Sequence, residues 1–151
     1  MIDRETLIKM TEDHLAGGPV FLIDVIIKPG NIILVFIDSD QEVNISHCAE
    51  VSRFIESRLD REKEDFELRV SSAGIDHPYR FLRQYRKNIG RQVQVLLVDG
   101  SVVKGTLTEA NEKFIEVMPL KKKGKKKMPP ESPQQVLMEQ IRETKGIVTF
   151  D

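Results

Sequence analysis

The chain has 151 residues, enough for one ordinary domain or two small ones, and 40% hydrophobic against 31% charged residues reads as soluble and globular. Cys48 is the only cysteine, which excludes an internal disulfide and fits a reducing compartment. The net charge of −1 conceals an asymmetry: residues 1–79 hold 8 Lys and Arg against 16 Asp and Glu, a net −8, and residues 80–151 hold 15 against 8, a net +7.

The opening MIDRETLIKM lacks the basic-then-apolar pattern of a secretory leader. Asp3 is placed to cap a helix with apolar positions Leu7, Ile8, Met10 and Leu15, which Gly17-Gly18-Pro19 stops. Val20–Ile27 and Ile32–Ile37 read as strands about a Lys28-Pro29-Gly30-Asn31 turn, hence a hairpin. These apolar windows are too short to span a bilayer. Ser46 is expected to cap a second helix on which Cys48, Val51, Ile55 and Leu59 recur every three or four residues. Phe66–Val70 alternates as a third strand. Helix, strand, strand, helix, strand is satisfied most simply by a three-stranded sheet with both helices on one side.

Residues 80–91 change character. Arg80, Arg83, Arg86, Lys87 and Arg91 recur with Phe81, Leu82 and Tyr85 between them, as in a short amphipathic connector ending at Gly90. Period-two runs follow at Val93–Leu97, Val102–Leu107 and Phe114–Met118, with Asp99-Gly100 as a hairpin signal. Gly105 inside a strand suggests a bulge or bend. Lys121, Lys122, Lys123, Lys125, Lys126 and Lys127 crowd one Gly- and Pro-bounded loop. Val136–Met138 and Ile147–Phe150 are expected as the last strands, and five short strands suggest a small barrel of the SH3 or Sm kind.

Catalytic signals are weak. Ser71, Ser72, Asp76 and His77 supply the residue types of a triad, but triad members normally converge from separate segments and no G-x-S-x-G elbow is present. His14, His47, Cys48 and His77 have no metal-ligand spacing, so neither an enzyme, a metal nor a cofactor is expected. Cys48 reads as a small buried hydrophobe. The segment Ser71-Ser72-Ala73-Gly74-Ile75-Asp76-His77-Pro78 reads as a structured boundary turn, in which Gly74 permits a positive φ and Pro78 fixes the exit.

That segment, from Val70, resembles the Val-Ser-Ser-Pro-Gly-Leu-Asp-Arg-Pro signature of the bacterial ribosome maturation factor RimP family. Val43–Arg53 is similar to the family helix carrying Asp-Cys and Val-Ser-Arg. Leu59-Asp60 sits where the family ends that helix, and Phe81–Gly90 resembles its aromatic-basic approach to an Ile-Gly pair. The departures are Ala73 for proline, Ile75 for leucine, His77 for arginine and His47 for an acidic residue. At His77 a permanent positive charge is lost.

The resemblance implies an α+β protein of two domains, an N-terminal α/β domain (1–80) and a C-terminal Sm-like β-barrel (81–151). It implies a cytoplasmic, non-enzymatic monomer that binds the immature small (30S) ribosomal subunit and promotes its assembly, touching a ribosomal protein of the decoding region and rRNA, with no membrane partner. Arg80, Arg83, Arg86, Lys87, Arg91 and the six loop lysines are the candidate contacts, since Lys and Arg release counterions from phosphate. The boundary motif is Ser71, Ser72, Gly74, Asp76 and Pro78. The alternative is a general single-stranded RNA binder, which would need aromatic stacking residues on the barrel.

Overall fold

A computed structural model describes residues 2–74, 77–119 and 132–147. The chain divides into two compact units, Met1–Gly74 and Ile75–Asp151.

The first unit runs α1 (Arg4–Leu15), β1 (Val20–Lys28), β2 (Ile32–Ser39), α2 (Ile45–Arg58) and β3 (Glu67–Ser72). The sheet order is β1-β2-β3, with β1 antiparallel and β3 parallel to β2. The parallel pairing follows from connectivity. α2 carries the chain back along the sheet, so β3 starts at the same end as β2. Period two then sorts the side chains: Ile33, Val35 and Ile37 share one face of β2 and are fully buried. They form one core with Leu7 of α1 and with Val51 and Ile55 of α2, so both helices cover the same face. Each such side chain contributes roughly 1.5–3 kcal/mol on burial.

The second helix starts differently from expectation. Its cap is Asn44, not Ser46. The Asn44 side chain accepts from the His47 N–H at 2.9 Å, and His47 Nδ1 accepts from the Asn44 N–H at 3.2 Å. This reciprocal box satisfies two donors that Ser46, already inside the first turn, does not serve.

The second unit holds α3 (Leu82–Lys87), β4 (Gln92–Leu97), β5 (Val102–Ala110), β6 (Phe114–Pro119), β7 (Gln134–Leu137), a 3-10 turn (Met138–Gln140) and β8 (Ile141–Gly146). They form one antiparallel sheet in the order β7-β6-β5-β4-β8, over a core of Val93, Val95, Leu107, Ile115, Val117 and Val136. Among the described residues no ladder joins the end strands β7 and β8, so the five-stranded sheet is not closed into the expected barrel there. β7 has four residues and passes straight into the 3-10 turn, which leaves little strand to pair.

Among the described residues the last strand is Ile141–Gly146, ahead of the expected strand Ile147–Phe150. Ile147 lies beyond it, and 148–150 fall outside the described residues. Of the bulge or bend expected at Gly105, the bulge is not present: its pairing with Val93 and Pro119 is in regular register. The register shifts lie at Leu96/Leu97 and Leu107/Glu109. A Cβ at Gly105 would overlap the Met118 carbonyl oxygen, so glycine is needed for close approach of β6.

Candidate functional site

The basic connector is built around three inward-facing polar residues. Gln84 is 2% exposed, and its Oε1 accepts from the Arg80 N–H at 2.6 Å and the Phe81 N–H at 2.9 Å. That satisfies donors at the start of a helix too short to hold itself. Asn88, also buried, donates from Nδ2 to the Gln84 carbonyl at 2.7 Å and accepts from Arg91 Nη1 at 3.4 Å. Tyr85 is buried and its hydroxyl donates to Thr144 Oγ1 at 2.8 Å. Burial pushes the Tyr85 phenol above its ordinary value, and the Thr144 hydrogen bond opposes this.

Both ends of the connector are tied to the sheet. The Tyr79 N–H donates to the Thr144 carbonyl of β8 at 2.8 Å. The Gly90 N–H donates to the Leu107 carbonyl of β5 at 2.7 Å, and the Leu107 N–H returns to Arg91 at 2.9 Å. Since β4 lies between β5 and β8, the connector crosses it.

With Gln84, Tyr85 and Asn88 inward, the helical period turns Arg83, Arg86 and Lys87 outward as i, i+3 and i+4 neighbours. Arg86 is exposed, and Arg83 and Lys87 are half-buried. Arg80 and Arg91 flank them, both exposed, with the Arg80 guanidinium 5.4 Å from the Phe81 ring centre. The five expected cations therefore gather on one short, anchored element. Lys121, Lys122, Lys123, Lys125, Lys126 and Lys127 lie outside the described residues, as does Asp76.

Ser71 and Ser72 still belong to β3, paired with Phe36 and Ile37. The turn begins after them: the Ala73 N–H donates to the Ile37 carbonyl at 2.9 Å, and Gly74 has φ 60°. The conformation expected of Gly74 is present, and the two hydroxyl residues are strand, not turn.

A cleft of about 400 Å³ opens beside the connector. Pro78, Tyr79, Leu82, Tyr85, Met138 and Ile141 supply apolar and aromatic lining, and Arg80, Glu112, Arg142 and Glu143 add charge. Only the connector side was legible beforehand. Arg142, Glu143 and Thr144 sit on the strand that the charged sequence concealed.

Among the described residues no three His, Cys, Asp or Glu side chains are grouped to hold a metal. His14 instead bonds Glu50 at 2.7 Å and stacks on Phe54 at 3.8 Å. Burial raises the Cys48 thiol, which disfavours the thiolate. No helix among the described residues is long and apolar enough to cross a membrane.

Residues 11–76 match the family described as RimP N-terminal domain. The chain is 38% identical over 152 residues to the ribosome maturation factor RimP of Porphyromonas gingivalis strain ATCC 33277, covering 98% of this chain and 100% of that one. The ribosome maturation factor RimP of Flavobacterium psychrophilum is 37% identical over 118 residues, 78% of this chain and 76% of its own length. That of Christiangramia forsetii is 48% identical over 79 residues, 52% of each chain.

Proposed function

This chain belongs to the RimP family of ribosome maturation factors, and from that premise we propose that it binds the immature small ribosomal subunit and promotes its assembly without catalysis. Similarity along the whole length of a ribosome maturation factor is the observation that carries this reading. The second unit is proposed to face rRNA through Arg80, Arg83, Arg86, Lys87 and Arg91, assisted by the lysines of 121–127. A basic element tied to two strands and capped by a buried glutamine supports that role, because it presents several cations without ordering them anew. The acidic first unit suits a basic ribosomal protein of the decoding region, and the charges would steer encounter and orientation more than set affinity.

The protein is proposed to act in the cytoplasm as a monomer of two domains. An Sm-like barrel remains the proposed class of the second: β8 returns directly after a single 3-10 turn to pair with β4, which supports a strongly curled sheet. Cosedimentation with purified small subunits tests the function. The protein is expected to travel with free immature subunits and to be absent from translating ribosomes. Equal binding to any unstructured RNA would instead favour a general single-stranded RNA binder.

A further inference from the structure

The cleft between α3 and β8 combines three kinds of group that the basic connector does not use together. Tyr79 supplies an aromatic ring, held edge-to-face against Tyr85 with centroids 5.1 Å apart. Arg80 and Arg142 supply cations. Glu112 and Glu143 supply carboxylates, and Lys145 partly balances Glu143 at 3.4 Å. A surface that only neutralised phosphate would gain nothing from the two acids. An unstacked base gains from all three, by stacking on an aromatic ring, by arginine contact to neighbouring phosphates, and by donating its edge N–H groups to a carboxylate.

We propose that this cleft takes one unpaired ribonucleotide base, with guanine preferred over uracil. The preference follows from the edges. Guanine offers N1–H and N2–H side by side, matching the two oxygens of a carboxylate. Uracil flanks its single N3–H with two carbonyls, which a carboxylate repels. The cleft volume of about 400 Å³ admits one base and its sugar, not a duplex. The proposal rests on the reading of the second unit as RNA-facing, and adds a base-reading site to phosphate contacts that carry no sequence information.

The test uses the full chain and two pentaribonucleotides, all-uridine and the same with a central guanosine, followed by fluorescence anisotropy and by the amide resonances of Tyr79 and Thr144. The guanosine oligomer is expected to bind at least about five-fold more tightly. Tyr79 also packs in the core, so the variants avoid it. The Glu112→Gln/Glu143→Gln double variant should lose the guanosine-to-uridine ratio, whatever its overall affinity. Arg142→Ala should weaken both oligomers alike. Equal affinities, or an unchanged ratio in the double variant, would overturn the proposal. So would cleft amides that respond to an alternating Leu-Lys decapeptide and not to RNA, which would make the cleft a peptide groove. If wild-type protein cosediments with small subunits yet shows no base preference, the cleft proposal fails and the assembly role stands. If it does not cosediment, the assembly role fails.

Discussion

Replacing Gln84 by Met tests whether the basic connector is held from beneath. Methionine keeps the length and flexibility of the buried side chain but removes its acceptor. Two backbone donors then lose a partner, the Arg80 N–H at 2.6 Å and the Phe81 N–H at 2.9 Å. Arg80 is exposed, so water replaces its bond at a net cost of about 0.5–1.5 kcal/mol. Phe81 is half-buried, and its orphaned donor costs about 1–3 kcal/mol. The expected loss is roughly 1.5–4.5 kcal/mol, and in a unit of this size each kcal/mol lowers Tm by about 4–8 °C. Thermal unfolding reads the total. Amide exchange locates it, since protection should fall at Arg80 and Phe81 before it falls at Val93 or Val95. Subunit binding should weaken as well, because a six-residue helix without its cap does not hold Arg83, Arg86 and Lys87 on one face. A Gln84→Met protein within about 0.5 kcal/mol of wild type, with unchanged exchange at Arg80 and Phe81, would refute the capping argument.

Four further outcomes are expected. Gly74→Val should cost about 1–2 kcal/mol, because φ 60° strains an L-residue while a Cβ there meets nothing within 4 Å. Gly74→Asn should cost visibly less, and equal losses in chemical denaturation would count against a backbone origin. Thr11→Val should be neutral or stabilising by up to about 1 kcal/mol, since the fully buried Thr11 hydroxyl has no hydrogen-bond partner; a clear loss in a urea titration would show that the hydroxyl is satisfied after all. Changing Arg83, Arg86 and Lys87 to Gln should weaken RNA binding and flatten its log–log salt slope by about 2 for single strands, if each meets one phosphate. Gln at all six positions Lys121–123 and Lys125–127 should also weaken subunit binding and flatten the slope. An unchanged affinity and slope would mean those lysines only solvate the chain.

The first unit was legible because each of its elements carries its own pattern. β2 alternates cleanly between buried and half-buried positions, and α2 shows Val51 and Ile55 on one face. The parallel placement of β3 was not legible, since no local pattern says which neighbour a strand will choose. In the second unit the strand Ile141–Gly146 was missed for a physical reason. Its one fully buried side chain is Thr144, whose hydroxyl accepts from Tyr85, and Arg142, Glu143 and Lys145 surround it. A strand whose buried position is polar offers no hydrophobic alternation. The half of the cleft carried on that strand was hidden with it. Gly105 was singled out correctly as unusual, but close approach and bulge leave the same trace in a sequence, and only the partner strand separates them. Asn44 lost to Ser46 for a related reason: both are good caps, and the reciprocal bond from His47 decides.

What an anion costs to bind depends on how far the cations that meet it are already held in place. Lysine carries a long side chain whose rotamer freedom is lost on contact, and any backbone ordering adds about 1–2 kcal/mol per residue fixed. The connector avoids most of the backbone cost, because Tyr79, Gly90 and Leu107 already tie it to β8 and β5. Its cations are also mainly arginines, whose planar forks lose less per hydrogen bond formed to phosphate. Arg83, Arg86 and Lys87 stand as close neighbours on one face, so one anionic partner can meet several of them at once. The connector should therefore contribute to orientation and lifetime as well as to the rate of encounter.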